Sequence, residues 1–434
     1  MKKVFFAVVL IWTLMASSSL VFAGGSTGSF TTLTYNVGGL LEGFSSSHPA
    51  TYTPVISCLI RDYDIVQVQE DFNYHAALYD TCDNHLYRSS TSGGMGIGSG
   101  LNQLSNFPYM DWARITWTKR SGSDALTPKG FTLARTRIAE GVYIDFYNLH
   151  AQSETTDTAL ANSRADVLQL LNYIKTNSAG NAVIIMGDWN LRYTRTTQNI
   201  RELLNIGFTD VWIQLMRNNY VPDFSDTALM SCEIPASANC EVVDKVLYRN
   251  SKYITLRPTE YSFENKKFVY TDGSDLSDHW PLKVSWNYET ASNLLMSDQF
   301  GGNGGTAYND VATLPANPVV STVAIRTGSR VDSIGVTLSS GKSLTHGGAG
   351  GTLKKLALAS DEYLTSVTLS SGAYNGGTRI FYVKFTTNKG RTLAGGAATS
   401  NSVTYTAPSG WQIAGFHGRS ASAVDKIGVI YTPR

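Results

Sequence analysis

The longer, N-terminal portion of the chain alternates between short apolar runs and one clear helical repeat. Runs typical of buried strands cover residues 30–35, 65–68, 142–146 and 183–186. Residues 158–175 instead repeat apolar side chains at i, i+3, i+4 and i+7, the spacing of one helix face. The pattern predicts an α/β domain in which strands and helices alternate.

The pattern changes after Trp286. Periodicity is lost over residues 288–296, and beyond them Gly, Ser and Thr become frequent while helical spacing disappears. Short strand-like runs separated by turn residues follow, for example at 322–326 and 379–385. A length of 434 residues also exceeds what one hydrophobic core usually organises. We therefore expect a first domain over 24–287, a linker at 288–296 and an all-β domain over 297–434.

Two short sequences recur within this second domain. Residues 331–336 are echoed by residues 424–429, and residues 300–305 by residues 346–351. Chance similarity within a Gly- and Ser-rich β segment is the alternative explanation. Two separate echoes favour internal pseudo-symmetry over chance.

The first residues have the pattern of an export signal. Two lysines precede an apolar run over residues 4–15, and the polar patch that follows ends in a small residue, Ala23. A transmembrane anchor is the alternative, but it would need about 20 apolar residues, and this run is shorter. We expect residues 1–23 to be a signal peptide and the protein to be secreted, with no membrane-spanning segment in the mature chain.

Secretion permits disulfides, and the chain has four cysteines, all in the first domain. Four cysteines can form two disulfides in three different ways. Sequence proximity favours Cys58 with Cys82 and Cys232 with Cys240, and free buried thiols are the alternative.

Charge is distributed unevenly although the whole chain carries only +1. Residues 24–297 contain 21 Lys and Arg against 28 Asp and Glu, a net −7, and residues 298–434 contain 12 against 6, a net +6. An acidic first domain suits cation binding and offers no broad electrostatic footprint for nucleic acid. The distribution weakens a nuclease function without excluding it.

Several strands of the first domain end or begin next to side chains that can bind cations or move protons. Hydrolysis of a phosphate ester needs charge neutralisation and an activated water, and a hard cation on oxygen ligands supplies both. Each position alone is a weak signal, since a strand-end carboxylate is usually only solvated and a strand-end histidine is usually structural. Their combination favours a phosphoesterase. The side chains are Glu70, His150, Asp188, Asn190, Asp278 and His279.

Six ordered segments containing these positions resemble the endonuclease/exonuclease/phosphatase superfamily, which has the deoxyribonuclease I-like fold and includes secreted sphingomyelinases and inositol polyphosphate phosphatases. The resemblance covers about residues 30–287 and implies a four-layer α/β sandwich. The matching segments are residues 34–37, 68–70, 147–150, 187–190, 243–246 and 277–281.

The resemblance implies a metal site. Glu70 would be the principal Mg²⁺ ligand, with Mn²⁺ or Ca²⁺ as alternative ions, Asn36 would orient an oxygen ligand, and Asp278 would contribute to the same site. A degenerate domain that keeps the fold without the activity is the alternative. The presence of every expected side-chain type disfavours it.

The resemblance also implies catalytic roles. Asp188 would align and deprotonate the attacking water, Asn190 would hold the phosphate, and His150 would donate to the phosphate or to the leaving oxygen. His279, polarised by the Asp244 carboxylate, would stabilise charge on phosphorus. Such an Asp–His pair requires contact in space rather than adjacency in sequence.

A glycine-rich opening at 301–305 and the segments 325–334, 346–348 and 415–420 stand out in the second domain. Together they resemble the jacalin-related lectins over nearly all of residues 297–434. The resemblance implies a β-prism of three four-stranded sheets. It also implies a sugar pocket built from backbone amides and one carboxylate, without a metal.

Carried onto this chain, the sugar pocket would comprise Gly305, Ser422, Ala423 and Asp425, with Asp425 accepting from two sugar hydroxyls. The family's loop is Gly-x-x-x-Asp, whereas Ala421 occupies the glycine position here. Because a methyl group restricts φ, we expect an altered loop geometry, and a purely structural β-prism is the alternative.

The leading hypothesis is a secreted metal-dependent phosphodiesterase that a lectin domain brings to glycan-bearing surfaces. Sphingomyelin-type phospholipid and nucleic acid are the two substrate classes. The acidic first domain and its aromatic-rich loops favour the lipid, and with it peripheral contact with a membrane surface. The alternative from a different class is a carbohydrate-binding adhesin or toxin subunit with a vestigial phosphoesterase domain.

Overall fold

The computed structural model describes residues 25–195, 200–226, 229 and 240–434. The predicted signal peptide and Cys232 lie outside these ranges, so neither the signal peptide nor the Cys232–Cys240 pairing is tested. The other predicted disulfide, Cys58–Cys82, is confirmed. Among the described residues, the helices lack the combination of length and apolar character that a membrane span requires.

The described part of the N-terminal domain contains twelve strands in two six-stranded sheets. The strands are β1 (Thr27–Asn36), β2 (Ile65–Gln69), β3 (Tyr87–Arg88), β4 (Asn102–Ser105), β5 (Tyr109–Thr116), β6 (Gly130–Ala139), β7 (Val142–His150), β8 (Ala182–Asp188), β9 (Thr209–Asp210), β10 (Asp244–Arg249), β11 (Ile254–Phe263) and β12 (Leu282–Thr290). The first sheet has the order β11-β12-β1-β2-β4-β3 and the second β5-β6-β7-β8-β10-β9. The four strands predicted from apolar runs are confirmed as β1, β2, β7 and β8.

Helices cover the outer face of each sheet. The described helices of this domain are α1 (Pro49–Ile60), α2 (His75–Asp80), α3 (Asp157–Asn177), α4 (Arg201–Asn205) and α5 (Val211–Met216). Apolar side chains of α1 and α2 pack on β1 and β2, whereas those of α3 pack on the second sheet. The predicted helix at 158–175 is confirmed as α3, and its Thr156 cap accepts a hydrogen bond from the Ala159 N–H. The predicted four-layer α/β sandwich is therefore confirmed.

The two sheets are joined in their interior by amide side chains as well as by apolar contacts. In β2, Val66 and Val68 face the helices, so the alternating residues Gln67 and Gln69 face the second sheet. Gln69 Nε2 donates to Asn148 Oδ1 at 2.7 Å, and Asn148 Nδ2 donates to the Val68 carbonyl at 2.8 Å. Each amide is fully buried, so these bonds satisfy groups that would otherwise cost about 1–3 kcal/mol apiece.

The C-terminal domain is a β-prism of three sheets whose middle strands contact one another around a shared core. Its strands are β13 (Leu295–Met296), β14 (Phe300–Gly301), β15 (Thr306–Asn309), β16 (Val320–Thr327), β17 (Val331–Leu338), β18 (Ser343–Gly347), β19 (Thr352–Ala357), β20 (Leu364–Tyr374), β21 (Gly377–Thr387), β22 (Thr392–Gly396), β23 (Asn401–Thr406), β24 (Trp411–Ser420) and β25 (Val424–Pro433). The sheets have the orders β13-β25-β24-β15, β18-β17-β16-β19 and β22-β21-β20-β23, with β14 added to the first.

The stretch where the sequence predicts a linker contains ordered structure. β12 continues to Thr290, and the short β13 pairs with β25 of the prism. Apolar periodicity is absent here because one strand is ending and the other is two residues long. The chain therefore passes from one domain to the other without a long free segment among the described residues.

Buried ion pairs join the two domains. Asp111 lies at a β-bulge between β5 and β6, where an irregular backbone re-aims a side chain, and its φ is +57°. Its carboxylate contacts Arg135 of its own domain at 2.7 Å, and Lys426 and Arg419 of the prism at 3.1 and 3.2 Å. Burial raises the pKa of Asp111, but the three cations lower it further, so the net shift is downward.

A second interdomain contact involves residues of β6 and β7. Asp298 of the prism forms a bidentate ion pair with Arg137, at 2.8 and 2.6 Å. The same carboxylate accepts hydrogen bonds from the Gly141 N–H and the Tyr143 hydroxyl, each at 3.0 Å. The domains are thus joined by directional, charge-assisted bonds.

We expect Asp111→Ala to lower the free energy of unfolding by about 3–5 kcal/mol, because Lys426 would remain buried without its anion and Arg135 would keep only Asp145. Since the pKa of Asp111 is lowered on folding, the contribution is present above its ordinary value of 3.8 and is lost as pH falls below it. Denaturant unfolding at pH 7 and pH 3 measures both effects.

Asp361→Ala is the control, since its ion pair with Lys389 is exposed and should contribute little. Equal stabilities of the two variants at pH 7 would contradict the structural role of Asp111.

Candidate active site

Three of the predicted residues occupy the same register position on adjacent strands. The parallel pairing of β7 and β8 places His150 opposite Asp188, and the antiparallel pairing of β8 and β10 places Asp244 opposite Asp188. Side chains at one register position project to the same face of a sheet. Gly187 permits this approach, because a Cβ there would lie 2.2 Å from the Leu149 carbonyl oxygen.

Asp188 is the centre of the cluster. Its Oδ2 accepts a hydrogen bond from Asn36 Nδ2 at 3.2 Å and lies 3.2 Å from His150 Nε2 and 3.7 Å from His279 Nε2. Its Oδ1 accepts from the Asn190 N–H at 3.1 Å. Burial would raise the pKa of Asp188, but the imidazoles of His279 and His150 outweigh burial, and the net pKa lies well below the ordinary value. Asp188 is therefore ionised at neutral pH.

His279 and Asp244 form the predicted pair across space. His279 Nδ1 donates to Asp244 Oδ2 at 2.8 Å, which directs Nε2 toward Asp188. Burial lowers the pKa of His279, but Asp244 and Asp188 raise it well above the ordinary value. The imidazole is therefore an oriented cation with 19% of its side chain exposed at the cluster.

Glu70 enters the cluster from the first sheet through a strained backbone. It follows β2 directly, has φ +57°, and its carbonyl is held by the N–H groups of Gly39 and Phe72 at 3.1 and 2.9 Å. A left-handed non-glycine residue costs about 1–3 kcal/mol and persists where its surroundings fix it, often at a functional site. Its Oε1 lies 3.3 Å from Asn36 Nδ2 and 3.9 Å from His150 Nε2.

The cluster has the donors that a hard divalent cation needs. Carboxylate oxygens of Asp188 and Asp244 lie within 4.8 Å of each other and of the His279 imidazole, which as a cation is not itself a ligand, and Glu70 adds a partly exposed carboxylate. Asp244 Oδ1 is buried without a hydrogen-bond partner among the described residues. Carboxylate oxygens are the ligands that Mg²⁺ prefers, so the residues fit such an ion.

Asn36 and Asp278, the other two residues of the predicted metal set, contact the cluster in different ways. Asn36 Oδ1 accepts from the Gly38 N–H at 3.1 Å, so the amide presents its N–H group, not its oxygen, to the carboxylates. Asp278 is exposed at the rim, where it accepts from Ser46 Oγ at 2.9 Å. Asn36 thus links two carboxylates, and Asp278 contacts the edge of the cluster.

Family models match two segments of the chain: residues 53–228 match Endonuclease/Exonuclease/phosphatase family 2, and residues 297–430 match the Jacalin-like lectin domain. Horcolin of Hordeum vulgare subsp. vulgare is 32% identical over 140 residues, which is 31% of this chain and 94% of Horcolin. The chain joins an endonuclease/exonuclease/phosphatase domain to a jacalin-like lectin domain.

The endonuclease/exonuclease/phosphatase domain is also similar to a curated protein. A sphingomyelinase of Mycobacterium bovis is 34% identical over 282 residues, which is 62% of this chain and 56% of that protein. The chain thus spans about half the length of the curated sphingomyelinases it matches. Among solved structures, Malaysian banana lectin is 30% identical and covers 32% of this chain and 99% of the lectin, with a TM-score of 0.29.

The structure places Gly305 of the predicted sugar pocket against Asp425, but Arg379 already contacts that carboxylate. Gly305 and Ser422 are exposed beside the buried Asp425, whose Oδ1 forms an ion pair with Arg379 Nη1 at 2.6 Å. Ala421 does not have a positive φ, and its N–H donates to the carbonyl of Ala423, the fourth predicted residue, at 2.9 Å.

Lys129 is a residue of the phosphatase-family site that sequence reasoning missed. It immediately precedes β6 in the sequence, and its side chain is buried. Its Nζ lies 2.5 Å from Asp124 and 3.4 Å from the Ala151 carbonyl oxygen. Asn190 Nδ2 donates to the same carbonyl at 3.2 Å. The segment containing Lys129 has no periodicity that would predict burial, so nothing local distinguished it from a solvated lysine.

We expect Mg²⁺ or Mn²⁺ to raise the melting temperature of the protein, and EDTA to reverse the effect, because ligand binding to the folded state stabilises it by about 2.7 kcal/mol at a hundred times Kd. Glu70→Gln should abolish the shift by removing the partly exposed carboxylate. Glu289→Gln, at an exposed residue of β12, is the matched control. A full metal shift in Glu70→Gln would refute the role of Glu70.

Proposed function

We propose that the protein is a secreted, divalent-metal-dependent phosphodiesterase that hydrolyses a sphingomyelin-type phospholipid and is brought to glycan-bearing surfaces by its lectin domain. The observation that carries the catalytic proposal is the meeting of Glu70 from one sheet with His150, Asp188 and Asp244 at one register position of the other. Carboxylates, a carboxamide and two imidazoles within reach of one point are the groups that phosphoryl chemistry uses.

The residues divide the work as follows. A cation held by Glu70, itself oriented by Asn36, would neutralise charge on a phosphoryl oxygen. Asp188, ionised and fixed by three donors, accepts a hydrogen bond from the attacking water and orients it for attack on phosphorus.

Donors surround the place where negative charge develops. His150, opposite Asp188, and Asn190, two residues beyond Asp188, are the proposed N–H donors to phosphoryl oxygens. His279, held by Asp244, presents a positively charged Nε2 to the same space. Preorganised donors of this kind supply transition-state stabilisation of several kcal/mol in water-poor sites. The Lys129 cation lies behind Asn190 and adds to the positive potential there.

Lipid is favoured over nucleic acid as the substrate. The curated relatives at 34% identity are sphingomyelinases, and the acidic first domain disfavours an extended polyanion. Leu41 and Phe44 are exposed on the loop that follows Gly39, whose N–H bonds to the Glu70 carbonyl. Apolar side chains beside the site suit peripheral contact with a lipid surface.

Secretion and glycan targeting complete the proposal. The export pattern at residues 1–23 and the Cys58–Cys82 disulfide support an oxidising, extracellular location. The jacalin-like domain supports glycan binding, for which the pocket of Gly305, Ser422, Ala423 and Asp425 is the sequence-derived candidate.

The substrate class is tested by assaying the purified protein with Mg²⁺ on sphingomyelin liposomes, plasmid DNA, RNA and inositol phosphates, each with an EDTA control. We expect EDTA-sensitive release of phosphocholine and little cleavage of the other substrates. Glu70→Ala and His279→Ala should each abolish it, whereas Glu289→Gln should retain it. Cleavage of DNA or RNA in preference to liposomes would overturn the lipid assignment, and full activity of Glu70→Ala would overturn the catalytic one.

We expect Asp244→Asn to lower kcat by about 10²–10⁴ with little change in KM, since the amide cannot fix the required tautomer and charge of His279. Steady-state kinetics on sphingomyelin in mixed micelles separates the two constants. Asp361→Asn, on the surface of the lectin domain, is the control. A rise in KM without loss of kcat would show that Asp244 serves substrate binding instead.

A further inference from the structure

The chain directly after Glu70 is held by polar side chains that take no part in the catalytic scheme. Asp71 is buried, with 2% of its side chain exposed, and its Oδ2 accepts hydrogen bonds from His75 Nδ1 and Asn102 Nδ2, each at 2.6 Å. His75 is the first residue of α2, and Asn102 is the first residue of β4. The Asp71 carboxylate therefore joins a helix and a strand at the place where the chain leaves β2.

The backbone around Glu70 is also fixed by close contacts. The Asp71 N–H donates to the Gly100 carbonyl at 3.0 Å. The Glu70 carbonyl accepts from the N–H groups of Gly39 and Phe72. Gly100 has φ +67° and packs so closely that a Cβ on it would lie 3.0 Å from Glu70 Cα and 2.7 Å from the Phe72 ring. The left-handed conformation of Glu70 is thus enclosed by its neighbours.

Asn102 connects this contact to the second sheet. Its Oδ1 accepts a hydrogen bond from the Arg114 guanidinium of β5, and its carbonyl accepts from Asn148 Nδ2 of β7 at 3.2 Å. Asn148 Oδ1 in turn accepts from Gln69 Nε2 at 2.7 Å. The residues immediately before and after Glu70 are therefore both bonded to the interior amides that join the two sheets.

The carboxylate of Asp71 suits the task of holding this turn. A left-handed backbone at a non-glycine residue is costly and persists only where its surroundings fix it. At Glu70 this backbone brings the side chain to within 3.9 Å of His150 Nε2 on the other sheet. Hydrogen bonds to a carboxylate are stronger than those between neutral groups. A neutral side chain at position 71 would leave His75 and Asn102 without their charged acceptor.

A second buried Asp–His pair in the same domain offers a matched comparison. Asp83 is fully buried and forms ion pairs with His85 and Arg88. His85 Nε2 lies 2.7 Å from the Tyr63 carbonyl oxygen, so this pair joins the segment after α2 to the segment between α1 and β2. Among the described residues, these ion-pair and hydrogen-bond partners lie outside the turn at Glu70.

We propose that Asp71 is a positioning residue for the metal site: bound by His75 and Asn102, it holds the left-handed backbone of Glu70 and so sets the affinity of the site for a divalent cation. The inference rests on the proposed function, which assigns the cation to Glu70. In this role Asp71 contacts neither the cation nor the substrate, and its effect on the reaction passes through Glu70.

The test compares Asp71→Asn with Asp83→Asn in the full mature chain, since each removes the charge of a buried aspartate paired with a histidine. Binding of Mn²⁺ is measured from the electron paramagnetic resonance signal of the free ion, and melting temperatures without metal are the folding controls. We expect Asp71→Asn to weaken Mn²⁺ binding about tenfold or more and Asp83→Asn to leave it within about twofold.

A kinetic measurement separates positioning from direct participation. Hydrolysis of sphingomyelin liposomes by Asp71→Asn should need about tenfold more Mg²⁺ for half-maximal activity, while kcat at saturating Mg²⁺ stays within about threefold of the wild type. A loss of kcat that saturating Mg²⁺ does not restore would overturn the inference.

His75→Ala decides the question if Asp71→Asn does not fold, because it removes one of the two donors and keeps the carboxylate. We expect this variant to weaken Mn²⁺ binding about threefold or more. Wild-type affinity in the deciding variant would overturn the inference, and so would equal weakening by Asp83→Asn. Failure of the wild type to bind Mn²⁺ would instead refute the metal dependence of the proposed function.

Discussion

The register of three neighbouring strands is the constraint on which the catalytic cluster depends. β8 is parallel to β7 and antiparallel to β10, and both pairings bring a functional side chain opposite Asp188. A one-residue slip in either pairing would turn His150 or Asp244 to the other face of the sheet. The buried Gln69–Asn148 bond below the cluster fixes the second sheet against β2, which ends directly before Glu70. The geometry of the site is thus set by backbone pairing and a few interior amides.

Local patterns were sufficient to predict much of this arrangement. Apolar runs indicate where strands end, and polar residues at strand ends gather at sheet edges, so the sequence alone predicts that Glu70, His150 and Asp188 belong to a site. The same reasoning found α3 and the Cys58–Cys82 disulfide, because both depend on residues close in sequence. Recognition of ordered motifs supplied the remaining roles, including the pairing of His279 with Asp244.

What could not be predicted depends on partners distant in sequence. Lys129 can be buried because its ammonium group forms an ion pair with Asp124 and donates a hydrogen bond to the Ala151 carbonyl. Oδ1 of Asp425 forms an ion pair with Arg379, which belongs to another sheet of the prism. The unequal charges of the two domains were interpreted as a preference for cations, yet some of that imbalance is satisfied where basic residues of the prism neutralise Asp111. Charge counts cannot distinguish a ligand-binding surface from an interface between domains.

The buried Asp111 contacts determine how catalysis and recognition are related in space. Two modules on a flexible tether would act within a volume set by the length of the tether, and lengthening it would only dilute one relative to the other. Here Lys426 and Arg419 tie the modules through a bulge in β5, so a bound sugar would have one distance and one angle to the scissile ester. Which esters the site can contact would then depend on the target surface. Only esters at a matching height and tilt beneath the bound glycan would be hydrolysed efficiently.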